Sequence, residues 1–315
     1  MLETIPGKIV GSSADTVRLR QFVENAAVAS DPVTLFGEPG TGKQLAAKLI
    51  HEASPREEAP FLMIDCSLYY ERELKRELFG YRTAGENGKS CKKGLFEFAR
   101  KGTCYLSHIE ELSPGIQAEL LNFLQDGRFC RLGDKKQRTS EVRLVVSSEK
   151  NLGGFVEAGL FNRELYTQLS GLNVYLPPLR DRKEDIPALI DFFTQVKGVQ
   201  GVAKSCVIVP EALEALESYP WPSNADDLRK ELERLSGCGL QKIEPEHLTT
   251  EIASYWMGQR GDSEVREVLE ELDAYIREFR VMSRLASSFG ELLGMDDNPY
   301  HANVSGDRDI FKELE

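Results

Sequence analysis

Gly37-Glu38-Pro39-Gly40-Thr41-Gly42-Lys43-Gln44 is the stretch from which the rest of the chain can be read. Before it, Asp31-Pro32-Val33-Thr34-Leu35-Phe36 has the length and apolar content of a short buried strand. After it, Leu45-Ala46-Ala47-Lys48-Leu49-Ile50 begins a helix. Strand, glycine-rich turn, lysine and helix make the layout of a phosphate-binding P-loop. The glycines let the backbone curl so that successive N–H groups point at one anion. The new helix adds its positive end, and Lys43 adds a mobile cation for the outer phosphates. An ordinary strand-to-helix turn can also be rich in glycine, but here the spacing and both flanks agree with the motif. One position departs from it: Gln44 stands where the pattern wants Ser or Thr as a magnesium ligand.

Outward from the loop, strands alternate with helices. Residues 8–30 contain a helix with Val17, Leu19, Phe22, Val23 and Ala26 on one side. Phe61-Leu62-Met63-Ile64-Asp65 is a continuous apolar run, expected to be a strand covered on both faces. A charged helix from Glu71 to Leu78 follows, and Tyr81 to Lys93 is polar and glycine-containing, a loop or a projecting hairpin. Thr103–Leu106, Val142–Ser147 and Leu172–Leu176 are further strands, and Pro114–Gln125 is a helix capped by Ser113. The alternation argues for an α/β fold, a parallel sheet with helices on both faces. After Pro177-Pro178 the strand signals stop, and Asp185–Lys197, Pro210–Tyr219 and Asn224–Leu235 read as a small all-helical second domain. From Val265 to Leu293 apolar residues recur in three-four steps, the pattern of a coiled-coil seam or a long packed helix. Such a helix folds back on its own domain or docks on a partner. Pro299 and the polar residues after it suggest a loose tail.

At 315 residues the chain is long enough for two domains or one with an appendage, and core burial is not limiting. Its net charge is −12. Glu246–Glu315 alone holds 16 acidic and 7 basic residues, and phosphate backbones repel such a segment. No run approaches the roughly 20 apolar residues of a membrane span, and the N-terminus shows no secretory signal. The six cysteines and four histidines are dispersed without metal-type spacing, which fits reduced thiols in a cytoplasmic protein and no metal site.

Leu176-Pro177-Pro178-Leu179-Arg180-Asp181-Arg182-Lys183-Glu184-Asp185-Ile186 resembles a signature of the AAA+ domain of bacterial enhancer-binding proteins, the ATPases that activate transcription by sigma-54 RNA polymerase. Ile9-Val10-Gly11-Ser12-Ser13, Glu77-Leu78-Phe79-Gly80, Gly94-Leu95-Phe96-Glu97 and Tyr219-Pro220-Trp221-Pro222 match the same family in the same order, from about Gly7 to Leu248. The resemblance implies a P-loop α/β subdomain over 1–179 and a helical lid over 180–248. An acidic helical extension follows over 249–315. It also implies ring formation with nucleotide between subunits.

The departures fall on the chemistry. The family's Asp-Glu pair, which holds the magnesium shell and polarises water, is Ser107-His108 here. Glu110 and Glu111 follow closely, but Glu111 already belongs to the family pattern. The Asn that resembles a switch for the catalytic Glu is Asp65, and the polar sensor, usually Asn, is Glu149. The two arginine fingers fall on Asn162 and Gln168, with Arg163 one step from the first, and the lid arginine falls on Asp226. Gln44, by contrast, is inherited, because the family also lacks Ser or Thr there. One arginine finger is worth about 10³–10⁵ in rate, so losing all these groups together predicts hydrolysis near the uncatalysed rate, non-additivity included.

The expectation is a pseudo-ATPase regulator. Gly37, Glu38, Pro39, Gly40, Thr41, Gly42, Lys43 and Gln44 would hold ATP or ADP weakly and magnesium poorly. The family's sigma-contact loop, Gly-Ala-Phe-Thr-Gly-Ala, is replaced by Tyr81-Arg82-Thr83-Ala84-Gly85-Glu86-Asn87-Gly88-Lys89, without the Phe-Thr pair, which argues against direct sigma-54 contact. The expected partner is another protein: a related AAA+ activator, a second copy or a signalling protein, met through the AAA+ faces or the helix 265–293. No receiver or sensory domain is expected before the AAA+ boundary. Asp296-Asp297-Asn298-Pro299, where a basic recognition helix would start, argues against DNA reading. A DNA-binding regulator, a slow ATPase using Arg163 with Glu110 or Glu111, and an inert paralogue are the alternatives.

Overall fold

The computed structural model describes residues 9–85, 88–195 and 207–259. The chain runs through α1 (Ala14–Val28), β1 (Val33–Phe36), α2 (Lys43–Glu52), β2 (Phe61–Asp65) and α3 (Glu71–Phe79). A hairpin of β3 (Gly80–Gly85) and β4 (Gly88–Lys93) comes next, then α4 (Leu95–Ala99), β5 (Thr103–Ser107) and α5 (Pro114–Asp126). A second small hairpin, β6 (Arg128–Cys130) and β7 (Gln137–Thr139), precedes β8 (Arg143–Ser148), α6 (Leu152–Glu157), α7 (Arg163–Leu169) and β9 (Leu172–Tyr175). The smaller part holds α8 (Ile186–Gln195), β10 (Val207–Ile208), α9 (Pro210–Ser218), α10 (Ala225–Gly237) and β11 (Lys242–Ile243), and α11 (Thr250–Gln259) follows it. The chain divides into two compact units, Met1–Ile243 and Glu244–Glu315. The expected helix 265–293 and the tail after it lie outside the described residues.

Five strands make one parallel sheet in the order β2-β5-β8-β1-β9. This is the α/β fold expected, and side-chain alternation explains why its inner strands read as solid apolar runs. Cys104 and Leu106 of β5 and Leu144 and Val146 of β8 point into one core, with Phe79, Phe96, Phe123 and Phe129. Tyr105 and Val145 point the other way, into a second core with Leu19, Val23, Leu35, Ala46 and Ile50. A period of two therefore feeds two cores, one under each layer of helices. The phenylalanine cluster is held largely edge to face, with Phe79 and Phe96 centroids 5.3 Å apart at 84°.

Three local expectations are corrected. β2 is the outermost strand and not covered on both faces: Met63 is 47% exposed. On α1 the inward residues are Thr16, Leu19, Val23, Ala26 and Ala27, and Val17 faces outward. The smaller part is not purely helical, since β10 and β11 pair in parallel, two residues each. Strands that short carry no periodicity to read. The segment Tyr81–Lys93 is the hairpin β3–β4, paired from Gly80↔Lys93 to Gly85↔Gly88. Among the described residues no helix is long and apolar enough to cross a membrane.

Candidate functional site

The loop Gly37–Gly42 joins the end of β1 to α2, whose N-cap is Gly42. Nearly every carbonyl of this loop is already engaged. Ala46 N–H donates to Gly42 O, and Thr41 Oγ1 donates to Glu38 O at 2.8 Å. The N–H groups of Gly40 and Gly42 have no acceptor among the described residues, so the amide side of the cradle is open to an anion.

Lys43 is in a different condition. Its side chain is 9% exposed, and Nζ donates to Gly37 O at 2.7 Å, to Glu38 O at 2.8 Å and to Glu149 Oε1 at 3.3 Å. Burial pushes the ammonium's pKa down, and the neighbouring Glu149 carboxylate opposes that shift. The same Glu149 oxygen lies 3.5 Å from His108 Nε2, and His108 Nδ1 lies 2.8 Å from Asp65 Oδ1. Asp65 is held below its usual range: burial raises it, but hydrogen bonds from Ser67 and His108 outweigh that. Glu110 is buried behind the cluster, its Oε1 accepting from Glu149 N–H at 3.1 Å and its Oε2 without a partner among the described residues. Lys43, Glu149, His108 and Asp65 thus form one chain of contacts, in which the altered positions meet one another.

The smaller part closes over the same loop. Gly40 has φ +71°, and a Cβ there would fall 2.0 Å from Ser223 O and 3.2 Å from Asp226 Oδ2. Only glycine permits that approach. Ala225 N–H donates to Gly40 O at 3.2 Å, and Arg182 donates to Thr41 O at 3.0 Å. Asn224, fully buried, donates from Nδ2 to Pro39 O at 2.7 Å and accepts at Oδ1 from Leu179 N–H at 2.6 Å. Arg180 pairs with both oxygens of Glu38 at 2.7 and 2.5 Å, and this hydrogen-bonded pairing holds the Glu38 pKa down. Asp185, also fully buried, accepts from Ser12 N–H, Ser13 N–H, Ser13 Oγ and Thr16 Oγ1 at 2.6–2.8 Å. A Cβ on Gly11, at φ +130°, would lie 2.4 Å from the Asp185 carboxyl carbon. In the sequence Arg180, Arg182 and Asp185 stand only as letters of a signature. Their neighbours are more than 140 residues away in sequence, so spacing could not give the role.

An apolar cleft of about 120 Å³ adjoins Thr41 and Gly42, lined by Ile9, Val10, Leu45, Phe192 and Phe193, with Arg182 at its polar side. Arg182 Nε is buried and has no partner among the described residues. The cleft is below the ~300 Å³ at which small-molecule pockets usually begin. Larger clefts of about 430 and 510 Å³ lie around Lys75 and Leu132 and include no P-loop residue.

Ser107 ends β5 in register with Asp65 and brings no carboxylate to the cradle. Gln44 is exposed, its Nε2 3.6 Å from Met63 Sδ. Asp226 lies in the first turn of α10, beside Gly40. Asn162 caps α7, its Oδ1 accepting from Leu165 N–H at 2.9 Å, and Gln168 is exposed on the same helix. No hydrogen bond or ion pair among the described residues joins either of them to Lys43. Glu111 pairs with Lys150 at 2.8 Å.

Residues 9–175 match the family described as the sigma-54 interaction domain, and residues 180–262 match the AAA+ ATPase lid domain. The Nif-specific regulatory protein of Herbaspirillum seropedicae is 34% identical over 227 residues, 72% of this chain and 42% of that protein. The transcriptional regulatory protein XylR of Pseudomonas putida is 34% identical over 272 residues, 85% of this chain and 48% of XylR. The chain therefore spans less than half the length of these relatives. NtrX of Brucella abortus, solved in complex with ADP, superposes with a TM-score of 0.71 at 31% identity, over 79% of this chain and 56% of NtrX. NtrX in complex with ATP gives the same TM-score over 77% and 54%.

Proposed function

Because the chain belongs to the sigma-54 interaction domain family, with the AAA+ lid that accompanies it, we propose that it is a regulator of that family which works by protein contact and not by ATP hydrolysis. The observation that carries this reading is the closed chain of contacts Lys43–Glu149–His108–Asp65. Phosphoryl transfer needs cations and a metal gathered round the outer phosphates. Here the cradle's fixed cation, Lys43, is already paired with Glu149. Ser107 offers a divalent ion no charge, and Asn162 and Gln168 offer no guanidinium.

In this reading residues 1–179 keep the nucleotide cradle, 180–248 the lid and 249–315 an acidic extension. NtrX, a relative of known structure, is described with ADP and with ATP. ATP or ADP at Gly37–Gln44 of this chain is the corresponding proposal, held weakly and without well-bound magnesium. The partner is a related AAA+ activator, a second copy or a signalling protein, reached through the AAA+ faces or residues 265–293. Sigma-54 and DNA are not assigned as direct partners, and the location is cytoplasmic.

One observation favours slow hydrolysis as a second reading. His108 sits where the family's catalytic Glu falls, with Asp65 to orient it as an Asp–His base. Its other nitrogen faces Glu149, not open space. Phosphate release from MgATP by the purified chain decides between the two. The expected result is no release above buffer. Turnover that disappears in Lys43→Ala overturns the regulator reading.

A further inference from the structure

We propose that Glu149 is an internal anion on the Lys43 ammonium and that it makes the cradle select a nucleoside diphosphate over a triphosphate. The proposal rests on the reading of Gly37–Gln44 as a nucleotide cradle and goes beyond it in naming the preferred ligand and the residue that selects it.

A lysine ammonium has three N–H donors. Lys43 spends all of them: on Gly37 O at 2.7 Å, Glu38 O at 2.8 Å and Glu149 Oε1 at 3.3 Å. The two carbonyls belong to the loop and cannot leave without refolding it. Glu149 is the longest of the three contacts and the only one on a rotatable side chain. Glu149 is therefore the contact that an incoming phosphate oxygen displaces first in reaching Nζ.

The two ends of a nucleotide's phosphate chain meet different conditions. The N–H groups of Gly40 and Gly42 are without acceptors among the described residues, and the first turn of α2 adds its own unpaired N–H groups. Inner phosphates find donors there at no cost in existing contacts. The β-phosphate of a diphosphate has these amides besides Lys43, whereas the added γ-phosphate of a triphosphate depends on Lys43 and meets Glu149 instead. The buried carboxylate of Glu110 stands behind Glu149, bonded to its N–H. Ser107 brings no charge to hold a divalent ion that would screen these carboxylates. Like charges a few ångströms apart repel strongly in a partly buried site.

The test is calorimetric titration of the full chain with ADP and with ATP, both without magnesium, on the wild type, Glu149→Gln and Glu149→Asn. Gln keeps the shape, and Asn restores the residue type the family usually carries. The wild type is expected to bind ADP at least about tenfold more tightly than ATP. Both variants are expected to tighten ATP by roughly tenfold and ADP by less than about threefold, collapsing the ratio. An ADP/ATP ratio near one in the wild type overturns the proposal. So does an unchanged ratio in either variant that melts as the wild type does. Binding of neither nucleotide by any of the three proteins overturns the cradle reading itself, a different result from a cradle that binds without discriminating.

Discussion

Asp65 Oδ1 and His108 Nδ1 stand 2.8 Å apart at the ends of two neighbouring strands, β2 and β5. Here a carboxylate faces an imidazole, at two positions where the resemblance leads one to expect an amide and a carboxylate. His108 also has φ +53°, a left-handed conformation that costs a bulky residue about 1–3 kcal/mol unless its surroundings hold it. The hydrogen bond between His108 Nδ1 and Asp65 helps to hold it.

Putting the catalytic residue back by itself should therefore fail. His108→Glu sets a third carboxylate between Asp65 and Glu149, in the same strained backbone. The expected result is a loss of about 1–3 kcal/mol of stability in urea unfolding, with no phosphate release from MgATP. Activity from this single change would mean that the neighbouring substitutions matter little to the chemistry.

Lys43 is expected to be structural as well as functional. Lys43→Ala leaves the Gly37 and Glu38 carbonyls and the Glu149 carboxylate without their shared donor. Leaving such groups unmade costs about 1–3 kcal/mol. A urea midpoint measured without nucleotide should fall accordingly, and an unchanged midpoint would show that the lysine contacts contribute nothing to the resting fold.

The contacts between the loop and the residues around Asn224 are unequal in strength. The Arg180–Glu38 pair has bidentate geometry, but its side chains are 41% and 32% exposed, so solvent screens it and it contributes little. Asn224 is fully buried and bonds both Pro39 O and Leu179 N–H. Asn224→Ala should cost about 2–4 kcal/mol, and Arg180→Ala clearly less. Unfolding midpoints of the two variants, measured side by side, check the order.

The sheet was legible because its inner strands are unbroken apolar runs, and the cradle because its glycines and lysine have fixed spacing. Met63 misled because an edge strand and an inner strand share the same apolar composition, and only strand order separates them. The altered chemical positions could be found one by one from the family pattern. Their mutual pairing could not, since Lys43 and Glu149 are 106 residues apart and Asp65 and His108 are 43 apart. Asp185 was visible only as one letter of a signature, while its work is done on residues 12–16.

That work gives a prediction in pH. Asp185 is fully buried, and burial alone would raise its pKa, but hydrogen bonds from Thr16, Ser13 and Ser12 carry it below the ordinary carboxylate value. Arg182, buried on the neighbouring turn, adds a favourable charge. A carboxyl group whose folded pKa is depressed contributes its full stability above the unfolded value. It loses that contribution as pH falls through the folded value. Wild-type stability attributable to Asp185 should thus be constant above about pH 5 and drain away as the pH falls through and below the ordinary aspartate value. Asp185→Asn turns an NH2 group toward four donors that need an acceptor, and should cost about 2–4 kcal/mol at neutral pH. Glu38 and Asp65, also depressed, shift both proteins alike, so the wild-type minus variant difference isolates residue 185. Urea unfolding of both proteins across this range should show the difference shrinking as the solution becomes more acidic. A difference that holds constant to the acid limit would mean that the carboxylate's charge is not what fastens α1 to the Arg182–Ile186 turn.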